Sequence, residues 1–144
     1  MGFKSLNPGP LCSGRGLELM FFGFRHKASD DPDKLWQAGA NAVTSVVKDA
    51  TTGGTYTVQL NKPYPLELVF ATASVHSATA TAGEIADARV DLDSYSPTAG
   101  TFDIEVYTDD GDGTLTVEQP TDDTAITVMC VFQRVTVLVE AHSV

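Results

Sequence analysis

A chain of 144 residues and 15.3 kDa is sized for one domain, and a compact fold of that length buries roughly 65 to 70% of its extended surface. Hydrophobic residues make up 42% and charged residues 19%, so the surface has to be built largely from Thr, Ser, Ala and Gly rather than from ion pairs. The formal charge of -10 is segregated: Glu84 to Asp123 holds twelve carboxylates against Arg89 alone, whereas Met1 to Lys48 holds six basic and four acidic residues. Such a field argues against a phosphate-backbone binder, because no Lys or Arg cluster is there to displace counterions.

Residues 1–16 carry Pro8, Pro10 and four glycines and read as an extended N-terminal arm, either frayed or laid over a neighbouring subunit. The single domain then runs over 17–144. The start has no continuous apolar run of the leader type, and no run reaches the length of a membrane span. LELMFFGF, Leu17 to Phe24, is the densest aromatic patch and begins as a strand with Leu17, Leu19 and Phe21 opposite Met20, Phe22 and Phe24. Because both faces are apolar, the core covers one and an arm, a loop or a partner covers the other.

RHKASDDPDKLWQAGAN changes in tone. Ser29 or Asp30 is placed to cap a turn of helix with Pro32 near its first position, but Gly39 stops it early, so a loop with a short helical turn is expected through Trp36. AVTSVVK (42–48) is a strand, DATTGG a turn, and GTYTVQL the next strand, with Tyr56, Val58 and Leu60 on one face. NKPYP forces a corner. LELVFATASV resumes with Leu66, Leu68 and Phe70 on one side, and HSATATAGE is a loop of small residues.

Ile85 to Leu92 alternates again, Ala86, Ala88, Val90 and Leu92 inward against Asp87, Arg89 and Asp91, and SYSPTAG turns the chain. Phe102, Ile104 and Val106 point inward; TDDGDG forms a hairpin tip, and Leu115 with Val117 continues the inward face. In the last apolar run Ile126, Val128, Cys130 and Phe132 oppose Ala125, Thr127, Met129 and Val131. Gln133-Arg134 interrupts it before VTVLV makes a final strand. Eight or nine strands without βα alternation indicate an all-β fold, an antiparallel β-sandwich (jelly-roll-like) or small barrel.

Chemistry-bearing patterns are sparse. His26, His76 and His142 sit in separate contexts without ligand spacing, and Cys12 and Cys130 are equally isolated; Cys130 is expected as a buried thiol, with a Cys12–Cys130 disulfide as the less favoured alternative. Asp109 to Gly113 resembles the front of a calcium loop but lacks the closing Glu, so a hairpin tip is favoured over a calcium site shared with Asp122 and Asp123. Asp103 and Glu105 share a strand face about 7 Å apart, a glycosidase-like separation without a cleft to shift their pKa values. Arg25, His26 and Lys27 are a weak nucleic-acid footprint, while Trp36, Tyr64, Tyr95 and Tyr107 are candidates for sugar stacking.

The layout of residues 42 to 72 (strand, DATTGG, GTYTVQL, proline corner, strand) together with 99 to 139 resembles that of the capsid decoration, or cement, proteins of tailed bacteriophages. The resemblance covers about two thirds of the chain and implies a virion structural protein, made in the host cytoplasm. Such a protein sits on the outer capsid surface as a homo-oligomer, a trimer being favoured, stabilises the shell, and has the major capsid protein as its partner. Neither nucleic acid, membrane nor cofactor is expected, and the chain reads as non-enzymatic; a tail-associated or carbohydrate-binding sandwich module is the alternative. The interface candidates are Leu11, Phe21, Phe22, Phe24, Arg25, Trp36, Phe132 and Arg134.

Overall fold

Period-two alternation of apolar residues lets a strand bury one face against a second sheet, and most of this chain obeys it. The computed structural model describes residues 17–38, 42–61, 66–76, 85–109 and 111–134. Among these, nine strands form: β1 (Leu17–Arg25), β2 (Asp33–Ala38), β3 (Val43–Lys48), β4 (Thr55–Leu60), β5 (Leu66–His76), β6 (Ile85–Ser96), β7 (Thr101–Asp109), β8 (Leu115–Val117) and β9 (Ala125–Arg134). One sheet has the order β2-β1-β9-β5; the other has the order β3-β4-β7-β6, with β8 also paired to β7. Every pairing is antiparallel, and the two sheets stack as a sandwich. The N-terminal arm over 1–16, Leu11, Cys12, Tyr64, the loop of small residues after His76 and the VTVLV strand lie outside the described residues.

The core sits between the sheets. Met20, Phe22 and Phe24 of β1 and Ile126, Val128, Cys130 and Phe132 of β9 face Tyr56, Val58 and Leu60 of β4 and Phe102, Ile104 and Val106 of β7, all buried. Aromatic contacts bridge the layers: Phe22 meets Phe102 edge-on at 6.3 Å, and Phe24 lies 5.0 Å from Tyr56. Contacts of this geometry add about 0.5 to 1.5 kcal/mol each beyond the area they bury. Cys130 is a free, buried thiol whose pKa is pushed up to about 12 by desolvation, so it packs as a small hydrophobe.

Several expectations are corrected. Residues 33–38 form a strand, not a loop with a helical turn, because β1 offers an unpaired edge and Phe21 to Arg25 take β2 as their partner. A helical turn ended by Gly39 cannot repay its nucleation cost against such a ladder. β5 is bulged between Leu68 and Phe70, and the extra residue reverses the alternation. Leu68 is in the core, but Phe70 turns outward at 48% exposure while Ala71, Ala73 and Val75 pack inward. β6 continues to Ser96, and its register against β7 shifts after Asp91, leaving Leu92 exposed rather than inward. Leu115 is exposed too, since β8 is only 3 residues long and covers no core.

The β3–β4 turn closes through Asp49, whose Oδ1 accepts from the backbone N–H groups of Thr51 (2.8 Å) and Thr52 (2.6 Å); those bonds hold its pKa below the ordinary value. The turn's last residue, Gly54, is buried against the segment after β8 and accepts a 2.8 Å bond from Val106 N–H. A Cβ on Gly54 would lie 2.5 Å from the Glu118 carbonyl oxygen. Gly54→Ala is therefore expected to destabilise the domain by about 1 to 3 kcal/mol, read from the midpoint of urea unfolding at unchanged slope.

Candidate functional site

The apolar outer faces of β1 and β9 determine what the four-stranded sheet shows to its surroundings. Backbone register aligns three rows across its strands: Leu19, Val131 and Phe70; Phe21, Met129 and Thr72; Gly23, Thr127, Ser74 and Trp36. None of these residues carries a formal charge. Trp36 is 46% exposed and Phe70 48%, while Phe21, Met129 and Val131 are half-buried. An open groove of about 240 Å³ runs between Trp36 on one side and Thr72 and Ser74 on the other, floored by Phe21, Thr127 and Met129.

Gly23 sets how closely Trp36, one side of this groove, approaches β1. The indole Nε1 of Trp36 lies 3.1 Å from where a Cβ on Gly23 would sit, and Ile126 O lies 3.3 Å from it. The missing side chain therefore lets the indole approach the strand, and the β1–β2 register shifts just beyond, between Gly23 and Phe24. A glycine interrupting an aromatic strand is the sequence signal for such a close approach.

The interface candidates divide accordingly. Phe21 and Trp36 reach the outer face, and Arg25 is exposed at the end of β1 opposite Asp33 and Ala125. Phe22 and Phe24 are fully buried and Phe132 nearly so, against Tyr95 at 5.6 Å. These three are core residues, unavailable to a partner of the folded domain. Arg134 closes β9 opposite Leu66, and Leu11 is outside the described residues. Phe70, Met129 and Gly23 were missed as candidates.

The opposite face, on the five-stranded sheet, is acidic. Asp91 and Asp103 are direct cross-strand neighbours, and Arg89 stands opposite Glu105. Thr57 Oγ1 donates to Asp103 (2.7 Å) and Tyr107 Oη to Glu105 (2.6 Å), with Arg89 stacked 4.9 Å over the Tyr107 ring and bonded to Asp87 at 3.1 Å. The Asp103–Glu105 pair thus lies on an open sheet surface with each carboxylate already engaged. Asp109 Oδ1 accepts from Gly111 and Gly113 N–H (2.8 and 3.0 Å), which closes its own hairpin tip, and both glycines have positive φ. Asp122 caps Ala28 N–H at 2.7 Å and Asp123 pairs with Lys27 at 2.9 Å. Among the described residues no group of three or more His, Cys, Asp or Glu converges as a metal site.

At one end of the sandwich His26 is fully buried. Its backbone continues the ladder, donating to Thr124 O (2.8 Å) and accepting from Asp123 N–H (3.0 Å), and its Nδ1 bonds Tyr56 Oη at 2.7 Å. Lys48 Nζ donates to Lys27 O and Ala28 O (2.8 and 2.6 Å), tying the following loop to β3. Nε2 is buried with no hydrogen-bond partner among the described residues. Burial, reinforced by the Lys48 charge and opposed by Asp122, holds the His26 pKa below its ordinary 6.5.

The folded state therefore refuses a proton that the unfolded chain accepts. Stability is expected to be full above about pH 6.5 and to fall as pH drops from there toward the lowered folded value. Unfolding midpoints of wild type and His26→Gln at pH 7.5 and 5.5 check this: wild type loses stability over the interval and the variant loses less.

No protein-family model matches the chain, and neither a curated protein nor a solved structure is detectably similar to it.

Proposed function

We propose that this protein is a non-enzymatic structural component of a virion that binds the outer surface of the capsid and stabilises the shell as a homo-oligomer, with the major capsid protein as its partner. The observation that carries the reading is the contrast between two outer faces, one uncharged and apolar around Trp36 and Phe70, the other acidic along β6 and β7. A protein that works by adhesion needs broad surfaces of differing chemistry on strands that do not move. The pairing of β1 with β9 at the centre of one sheet supports a jelly-roll-like sandwich over a small barrel. Outer-capsid attachment and the virion location rest on the layout resemblance.

Purified protein is expected to co-sediment saturably with undecorated capsids, with less bound as salt rises because the acidic face is screened. Deletion of residues 1–16 is expected to abolish that binding while the domain stays folded. Failure of the full chain to co-sediment at any salt concentration contradicts the reading.

A carbohydrate-binding module is the second reading, favoured by one detail: the exposed Trp36 indole borders a groove that carries the hydroxyls of Thr72 and Ser74 on its far side and of Thr127 on its floor. Tyr107 is the weaker half of that reading, since its hydroxyl is committed to Glu105. Saturable retention on immobilised polysaccharide that is lost in Trp36→Ala supports it; equal retention of both proteins removes it.

A further inference from the structure

A hole and a knob sit side by side on the outer face of the four-stranded sheet. The hole is the groove between Trp36 on one side and Thr72 and Ser74 on the other, over Phe21, Thr127 and Met129. The knob is Phe70, turned outward by the β5 bulge and two residues before Thr72 on the same strand, hence about 7 Å along the same face. We infer that this face mates with the same face of a second copy in a two-fold dimer, each copy's Phe70 entering the groove of the other.

Size permits the fit. A dry cavity of about 150 Å³ holds a benzene ring, and the groove offers about 240 Å³. The floor of Phe21 and Met129 gives a phenyl ring apolar and sulfur contacts. Symmetry follows from placement: knob and hole share one flat face, so a two-fold axis between them satisfies both at once and leaves neither open. A threefold ring, which the resemblance to decoration proteins implies, needs knob and hole on different flanks of the molecule. The inference departs from that expectation and does not depend on capsid binding.

Charge does not oppose a second copy on this face. A chain of net charge -10 resists its own kind through most of its surface, but the central rows of this face are uncharged, and the acidic strip of Asp87, Asp91, Asp103 and Glu105 lies on the opposite sheet. With sheets stacked about 10 Å apart, face-to-face pairing holds the two strips roughly 30 Å from each other, several Debye lengths at physiological salt. The same pairing removes Trp36 and Phe70 from water together.

The test is the solution mass of the full chain by sedimentation velocity, from low micromolar to sub-millimolar concentration, with Phe70→Ser as the knob deletion and Ser74→Arg as the groove block. Both substituted side chains are exposed or at the groove rim, and matching melting curves verify that the variants fold. Wild type is expected to approach twice the 15.3 kDa of one chain, and each variant to associate on the order of tenfold more weakly or worse. A mixture of the two variants keeps one of the two knob-in-hole contacts and is expected to associate better than either alone.

A wild type that stays monomeric throughout, forms trimers, or dimerises undiminished in both variants overturns the inference. So does a monomer that begins to associate only when residues 1–16 are deleted, which assigns the face to the chain's own start. A monomer whose capsid binding is lost in Phe70→Ser assigns the face to the shell and likewise overturns it. A dimer that ignores capsids leaves the inference standing and removes the virion reading alone.

Discussion

The fold depends on the pairing of β1 with β9, which runs in unbroken register from Leu17 opposite Gln133 to Arg25 opposite Ala125. These two strands hold the centre of the four-stranded sheet and supply nearly all of its contribution to the core. Both are apolar on both faces, which creates a constraint of its own. In an ordinary half-buried strand a one-residue slip exposes every core side chain and is rejected by the hydrophobic pattern. Here a slip exchanges one apolar face for another, so pattern alone does not specify the register.

Shape and end-anchoring do. Phe22 packs against Phe102 and Phe24 against Tyr56, and the missing Cβ of Gly23 leaves room for the Trp36 indole. At the end of the pair, His26 exchanges backbone bonds with Thr124 and Asp123, and its ring reaches across the sandwich to Tyr56. That buried imidazole, with Nε2 unpartnered among the described residues, locks the register at the cost of acid sensitivity. Specificity and pH dependence thus come from the same few atoms.

How far the sequence revealed this varied with how local each cause was. Tyr56, Val58 and Leu60 on β4, Phe102, Ile104 and Val106 on β7, and the inward face of β9 were legible because simple alternation against polar neighbours decides them. The direction of β1 was not, since neither of its faces is polar. β2 was hidden by strong capping residues, and its strand state came from an edge that only tertiary pairing provides. The outward turn of Phe70 depends on a single bulged residue, which a period-two reading carries across as an inversion. The buried role of His26 was not legible because its partner Tyr56 is thirty residues away. Of the interface candidates, Phe22, Phe24 and Phe132 belong to the core, where their bulk fills the space between the sheets.

What remains after folding is a sheet face with a groove, a projecting phenyl ring and an exposed indole, set back to back with an acidic face. Hydrophobic surface of this kind has a cost in water that a monomer bears and an assembly removes. In the proposed dimer the outer face of β1, β9 and β5 is covered by another copy. Trp36, the only tryptophan of the chain, reports on that face directly. Its fluorescence, followed as the protein is concentrated, is predicted to shift to shorter wavelength and to lose accessibility to acrylamide, with Phe70→Ser abolishing both changes. Emission and quenching that stay solvent-exposed and independent of concentration would contradict it.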